Sequence, residues 1–336
     1  MSIKNMGGPP KRTNRGRKFP GQRRLTKFRP QPHAFRGFRL TGRDLDIVRV
    51  VERYRFLAAD HIRALVAGSR QQVTRRLQAL FHTKHLARMI PLMRARLLKG
   101  EELRPRLVYA LATKGKEALL SSGMPAEEIS WTPDYNLRKE GHLEHELMIS
   151  NFRVTLALAL ADHGGAELTG WLDDADIRDS VTVEWVKHHK GKPVVYRVNP
   201  DGYAATAVRG EHNNWFLETD NNTEELGRIA YKYRGYWHYF TPASPYWSRY
   251  EAPERRLALW VTTSERRMEN MIQTLTSIEE FGGKGLRQFR FTTEDEFSVS
   301  DPPSILAPIW RVVGDVRLDD TGRVRQYQIE RKGLLE

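Results

Sequence analysis

Two acidic segments carry the chemistry this chain is equipped for. Asn199-Pro200-Asp201-Gly202 reads as the junction of a strand and a turn. Trp215-Phe216-Leu217-Glu218-Thr219-Asp220 reads as a strand that follows it by a hairpin's length. Two-residue alternation puts Phe216, Glu218 and Asp220 on one face of that strand and Leu217 and Thr219 on the other. Carboxylates from neighbouring strands can share a divalent ion. Mg2+ takes hard oxygen ligands, often one or two carboxylates with water and phosphate. Such an ion activates water and stabilises a leaving oxygen. Asp201, Glu218 and Asp220 are therefore candidate Mg2+ ligands. The plain alternative is that Asp-Gly is a turn signal and that an exposed strand carries acidic residues by default.

A second cluster, His142, His145 and Glu146, has the spacing His-x-x-His-Glu. That is neither of the zinc-helix patterns, H-E-x-x-H or H-x-x-E-H. A structural role, with His145 supporting the acidic cluster, is the better reading. Other chemistries are excluded more firmly. The chain has no cysteine, so disulfides, thiolate zinc sites and Cys nucleophiles are ruled out, and a reducing cytoplasm is the expected compartment. There is no G-x-x-x-x-G-K-[ST] loop for ATP-driven unwinding, and no His-hydrophobe-His cluster near a Tyr. No apolar run approaches the roughly 18 residues of a membrane helix.

The elements that must position these residues read as an α/β pattern with a mixed sheet. Leu143, Leu147, Ile149, Phe152, Val154, Leu156 and Leu160 mark a long, largely buried helix that ends at Gly164-Gly165. Strands are expected over Val181 to Val186, Val194 to Val198 and Trp215 to Thr219. A helix from Glu224 to Phe240 buries Leu226, Ile229, Tyr233, Trp237 and Phe240, with Lys232 beside that stripe. A strand over Leu257 to Val261, a helix capped by Ser264 and a short strand over Phe289 to Phe291 follow. The aromatics from Trp237 to Tyr250 are expected in a core.

The charge distribution points to a partner. Residues 1–39 hold twelve Lys or Arg and no acid. Residues 40–120 hold seventeen basic and seven acidic side chains, and residues 121–336 twenty-six against thirty-four. Clustered cations release counterions from a phosphate backbone, so the first third is expected to meet nucleic acid. Residues 1–39 read as a disordered basic arm, with Phe28, Phe35 and Phe38 available to stack on bases. Residues 40–122 read as a winged helix-turn-helix. Thr41 and Asp44 form a capping box, and helices follow over roughly 42–56, 58–66 and 70–83. The third shows Gln71, Gln72, Arg75 and Arg76 outward, residue types that suit adenine and guanine edges in the major groove. Strands over Leu86 to Met93 and Arg106 to Leu111 would flank a wing whose Arg94, Arg96, Lys99 and Arg104 grip phosphates. Residues 123–139 read as a linker, 140–300 as the α/β domain and 301–336 as a C-terminal extension.

Taken in order, these pieces resemble the replication-relaxation family of plasmid and mobile-element proteins. Leu40-Thr41-x-Arg43-Asp44, Arg75-Arg76-Leu77-x-x-Leu80, Tyr109-x-Leu111-x-x-x-Gly115, His145-Glu146-Leu147, Pro200-Asp201-Gly202, Phe216-Leu217-Glu218-Thr219-Asp220, Thr223-Glu224 and Lys232-Tyr233-x-x-Tyr236 carry the likeness. It implies a winged helix followed by a restriction-endonuclease-like domain. It also implies DNA as the partner, alongside other replication or relaxosome proteins, and is compatible with a dimer. The second half is similar to the PD-(D/E)xK nucleases, in which an acidic pair binds Mg2+ and a Lys polarises water. Asp201 and Glu218 match the acidic pair. Asp220 stands where the Lys is wanted, and Lys232 is the best substitute, its alternative being a snorkelling surface Lys. Glu144 or Glu146 would match an extra acidic ligand. Two functions follow as expectations: a Mg2+-dependent nickase, or a non-catalytic initiator, regulator or accessory protein with a degenerate site.

Overall fold

Local signals set the first helices. The Asp44 carboxylate accepts from the Thr41 backbone N–H and hydroxyl, both at 2.7 Å, which starts α1 (Gly42–Tyr54). Ile47, Val48 and Val51 then recur on its buried face. Strand β1 (Leu57–Ala58) and helix α2 (Ala59–Leu65) follow. Ser69 caps α3 (Arg70–His82), which buries Val73, Leu77, Leu80 and Phe81 as its spacing predicts. Strands β2 (Leu86–Met89) and β3 (Val108–Leu111) pair antiparallel, β1 joins them in the order β1-β3-β2, and α4 (Thr113–Ser121) closes the unit.

The computed structural model describes residues 25–89, 107–137, 140–173, 176–186, 190–242, 244–250 and 255–336. Arg94, Arg96, Lys99 and Arg104 of the expected wing lie outside the described residues, as do residues 1–24 of the arm.

Two expected boundaries shift. Residues 25–39, assigned by composition to a disordered arm, pack on α3. The Phe35 ring stacks on His82 at 5.3 Å, and the Arg76 guanidinium lies 4.8 Å over Phe38. Charge content had masked these two aromatic anchors. The expected linker is likewise anchored, because Ile129 and Trp131 are buried in the same core as Val51 and Leu77.

Helix α5 (Glu140–Asp162) joins the two halves. Leu143 and Leu147 pack with Phe56 and Val108, whereas Phe152, Leu156 and Leu160 pack under a large sheet. That sheet is mixed and seven-stranded, as the α/β reading expects. Its members are β4 (Ala166–Asp173), β7 (Gly202–Val208), β8 (Glu211–Asp220), β9 (Arg255–Thr262), β10 (Phe289–Thr293), β11 (Trp310–Leu318) and β12 (Val324–Lys332), in the order β12-β11-β10-β9-β8-β7-β4. Strands β8, β9 and β10 are mutually parallel. Helices α6 (Leu226–Tyr239) and α8 (Glu265–Thr276) cover the face opposite α5, with the short α7 (Tyr246–Arg249) between them in sequence. Strands β5 (Asp179–Val186) and β6 (Lys192–Val198) form a separate hairpin against α6. The last 36 residues are not an appendage. Strands β11 and β12 extend the sheet, and Trp310, Val312 and Val313 are buried in it.

Candidate functional site: a carboxylate cavity at the ends of the parallel strands

The acidic residues come together at the carboxyl end of β8, where open α/β sheets generally bind ligands. Strands β7 and β8 pair antiparallel from Val208 and Glu211 to Gly202 and Leu217. One step further the same register sets Asp201 beside Glu218. The Asp201 N–H donates to the Leu217 carbonyl at 2.8 Å. Both residues line one cavity of about 1210 Å³, together with His145, Asp220, Glu224 and Lys232.

Each carboxylate has a partner supplied by a different helix. The Glu218 side chain is 2% exposed. It accepts from the Lys232 ammonium at 2.9 Å and the Tyr236 hydroxyl at 2.7 Å. Lys232 also meets Glu224 at 3.0 Å. Lys232 and Tyr236 stand one turn apart on α6, so one helix face delivers both. The Asp201 carboxylate accepts from the Thr219 N–H at 2.7 Å and hydroxyl at 3.0 Å, and faces His145 Nε2 at 3.2 Å. His145 comes from α5, on the far face of the sheet.

Electrostatics follow from this packing. Burial lifts the Glu218 pKa and Lys232 pulls it back, with Asp201 adding repulsion; the balance lies at about 7. Burial opposes the Lys232 charge, but Glu218, Asp201 and Glu224 outweigh it and raise its pKa. Lys232 is thus a fixed cation, suited to holding negative charge and unsuited to acting as a base. Burial pushes Asp201 up, yet His145, Lys232 and the Thr219 N–H bring it below the ordinary carboxylate value.

His145 yields a pH prediction. Burial disfavours its cation, but Asp201 prevails, helped by Glu146 and Glu218, and its pKa rises from 6.5 to about 9. A raised histidine stabilises the fold fully below pH 6.5, and that stability is lost as pH climbs through 9. Glu218 titrates mostly below this window. We expect unfolding free energy to fall by about 2 kcal/mol between pH 7 and 9 through His145. Urea unfolding at the two pH values measures it. A His145→Gln protein should lose most of that fall, and an unaltered pH slope in the variant would refute the assignment.

The other sequence candidates have partners of their own. Asp220 is held by Arg267, Nε at 2.7 Å and Nη2 at 3.2 Å, and by the Thr262 hydroxyl at 3.1 Å. Glu146 pairs with His142 at 2.9 Å and lines a neighbouring cavity of about 110 Å³ that also reaches His145 and Asp201. Among the described residues, no three His, Asp or Glu side chains are grouped to hold a metal. The donor set still suits a hard cation in part. Asp201 Oδ1 has no partner among the described residues, and Glu218 adjoins it. Mg2+ would be held by Asp201 and Glu218, with water and a substrate phosphate completing its shell. Sequence reasoning missed Arg267 as the partner of Asp220. Its only local signal is its place in the first turn after the Ser264 cap.

On the outer face of α3 the candidate DNA contacts divide. Gln71 and Arg75 are exposed. The Gln72 carboxamide accepts from the Ser69 N–H at 3.0 Å, so it closes the helix cap. The Arg76 guanidinium is bonded to Asp44, Nε to Oδ1 at 2.6 Å.

No helix of the described residues is long and apolar enough to cross a membrane. No curated protein and no solved structure matches the chain. One family model does match, over residues 48–253, a span that runs from α1 through both carboxylates to α7. The chain therefore belongs to the replication-relaxation family, which points to a role in the replication or relaxation of plasmid or other mobile-element DNA.

Proposed function

We propose that the protein binds DNA through its N-terminal unit and nicks it at the carboxylate cavity with Mg2+. The observation that carries this reading is the meeting of Asp201, Glu218 and Lys232. The lysine lacking from β8 has its counterpart on α6, 2.9 Å from Glu218. A bound Mg2+ would supply an activated water and charge stabilisation at phosphorus. Asp201 and Glu218 would hold it, Lys232 would steady negative charge, and His145 would fix the Asp201 carboxylate. The order of helices and strands in residues 42–121 supports a winged helix-turn-helix, a form that lays α3 in the major groove. Gln71 and Arg75 are then the base readers, because Gln72 and Arg76 have internal duties.

The test is conversion of supercoiled plasmid to open circle in Mg2+. Wild-type protein should nick, and Asp201→Asn should lose about 100-fold or more of that activity. A second reading is a non-catalytic DNA-binding initiator or relaxosome accessory protein. It is favoured by one specific observation: His145 and Lys232 already compensate Asp201 and Glu218. Tight Mg2+-independent binding to one origin-like sequence, with no nicking by either protein, selects it.

A further inference from the structure

The amino ends of the parallel strands carry a further charged cavity, of about 340 Å³. Arg255 and Arg256 open β9, Arg287 precedes β10, Arg290 lies within β10 and Lys332 ends β12; all five line it, with Glu336 beside them. At the other end of β9, Thr262 pairs with Asp220. Seven residues of strand, roughly 23 Å, therefore separate this cavity from the carboxylates. It also lies outside the segment matched by the family model.

Its cations are only partly compensated. Arg290 is 5% exposed. Its Nη atoms donate to the backbone oxygens of Gly333, Leu334 and Glu336 at 2.7, 3.3 and 3.0 Å. Its Nε is buried without an acceptor, as is Nε of Arg256, whose guanidinium lies 4.7 Å over Trp247. Among the described residues, Arg255 has no hydrogen-bond or ion-pair partner. Arg287 and Lys332 share Glu330, at 3.0 and 3.6 Å. Burial, with the neighbouring Arg255 charge, outweighs the opposing Glu336 charge and presses the Arg290 pKa down to about 10. Crowded like charges of this kind cost free energy that an anion would relieve.

We infer that this cavity is a phosphate-binding site, in which Arg255, Arg290 and Lys332 receive a phosphate group from outside the chain. Guanidinium forks pair with phosphate oxygens two at a time, and the unpartnered Arg255 guanidinium in the cavity wall is what such a group would fill. The cavity volume is near the lower end for small-molecule sites, about 300 Å³. Two sources share this chemistry: a stretch of nucleic-acid backbone, or the phosphates of a free nucleotide-like compound. The inference does not depend on nuclease activity.

Thermal unfolding of the full chain with inorganic pyrophosphate tests it. Pyrophosphate should raise the wild-type Tm by about 3–6 °C well above its Kd. In Arg255→Gln/Lys332→Gln the shift should fall by more than half, while the Tm without pyrophosphate stays at or above the wild-type value. Asp201→Asn should keep the full response, which separates this site from the carboxylate cavity. If the double variant does not fold, Arg255→Lys serves instead. It keeps the charge, loses the fork and should bind pyrophosphate several-fold more weakly.

A labelled duplex then identifies the source. If backbone occupies the cavity, the double variant binds duplex about tenfold more weakly whatever its sequence, with a log–log salt slope lower by about 1–2. If free compounds occupy it, duplex binding is unchanged and only the pyrophosphate response is lost. An equal pyrophosphate response in wild type and variant, or no response in either with duplex binding unchanged, overturns the inference.

Discussion

Lys232→Ala is expected to destabilise the protein by about 3–5 kcal/mol at pH 8, because it strands a buried carboxylate. The Glu218 side chain is 2% exposed, and the lysine is its only cationic contact among the described residues. Without it, the Tyr236 hydroxyl alone faces the charge. The cost depends on pH with a definite sign. Glu218 already has its pKa raised from 4.5 to about 7 by burial. A raised carboxyl gives its full stability below the unfolded value and loses it as pH rises through the folded one. Removing Lys232 raises the folded value further. The gap between variant and wild type should therefore open above pH 7 and close towards pH 5, where Glu218 is protonated in the variant. Denaturant unfolding at pH 5 and pH 8 reads this directly. The double change Glu218→Gln/Lys232→Met removes both charges and should recover most of the loss, since a neutral pair of similar shape carries no desolvation penalty. An equal cost at both pH values would show that Lys232 acts through packing rather than charge.

Arg76→Ala should cost a similar amount, about 3–5 kcal/mol, and should do so in the N-terminal unit. Asp44 is fully buried, with 0% exposure, and Arg76 provides its countercharge. The guanidinium also donates to the Arg39 carbonyl at 3.1 Å and covers the Phe38 ring. One side chain thus ties the capping box of α1, helix α3 and the segment before α1 together. Loss of DNA binding in this variant would follow from loss of structure. Asp44→Asn/Arg76→Ala should regain much of the stability. Arg75→Ala makes the contrast: its side chain is exposed, so Tm should stay put while duplex affinity drops by about 1–3 kcal/mol if the arginine pairs with guanine. Circular dichroism on each variant beside fluorescence anisotropy separates the two cases. An Arg76→Ala protein as stable as wild type, with weakened site discrimination, would return Arg76 to base reading.

These two arginines show where sequence reasoning stops. Both sit on the polar face of α3, and spacing alone cannot tell them apart. The difference lies in Asp44, which is 32 residues away and inward-facing. The same holds for Asp220, whose partner Arg267 is 47 residues further on. Strand β12 was illegible for another reason. It is an edge strand with every residue half-buried or exposed, so Arg, Gln, Glu and Lys fill it and no clean alternation survives.

What the chain's residues determined alone were local matters. The Thr41 and Asp44 cap, the Ser69 cap, the buried stripe of α3, the length of α5 and the alternation that sets Glu218 and Asp220 on one face all arise within a few residues of one another. Backbone geometry enforces such patterns without help from distant parts. Tertiary structure decided which charges meet. It brought Lys232 to Glu218, His145 to Asp201 and Arg267 to Asp220, and it left a crowd of cations at the opposite end of the sheet. Burial and countercharge are properties of neighbours in space, and a linear order of residues does not contain them.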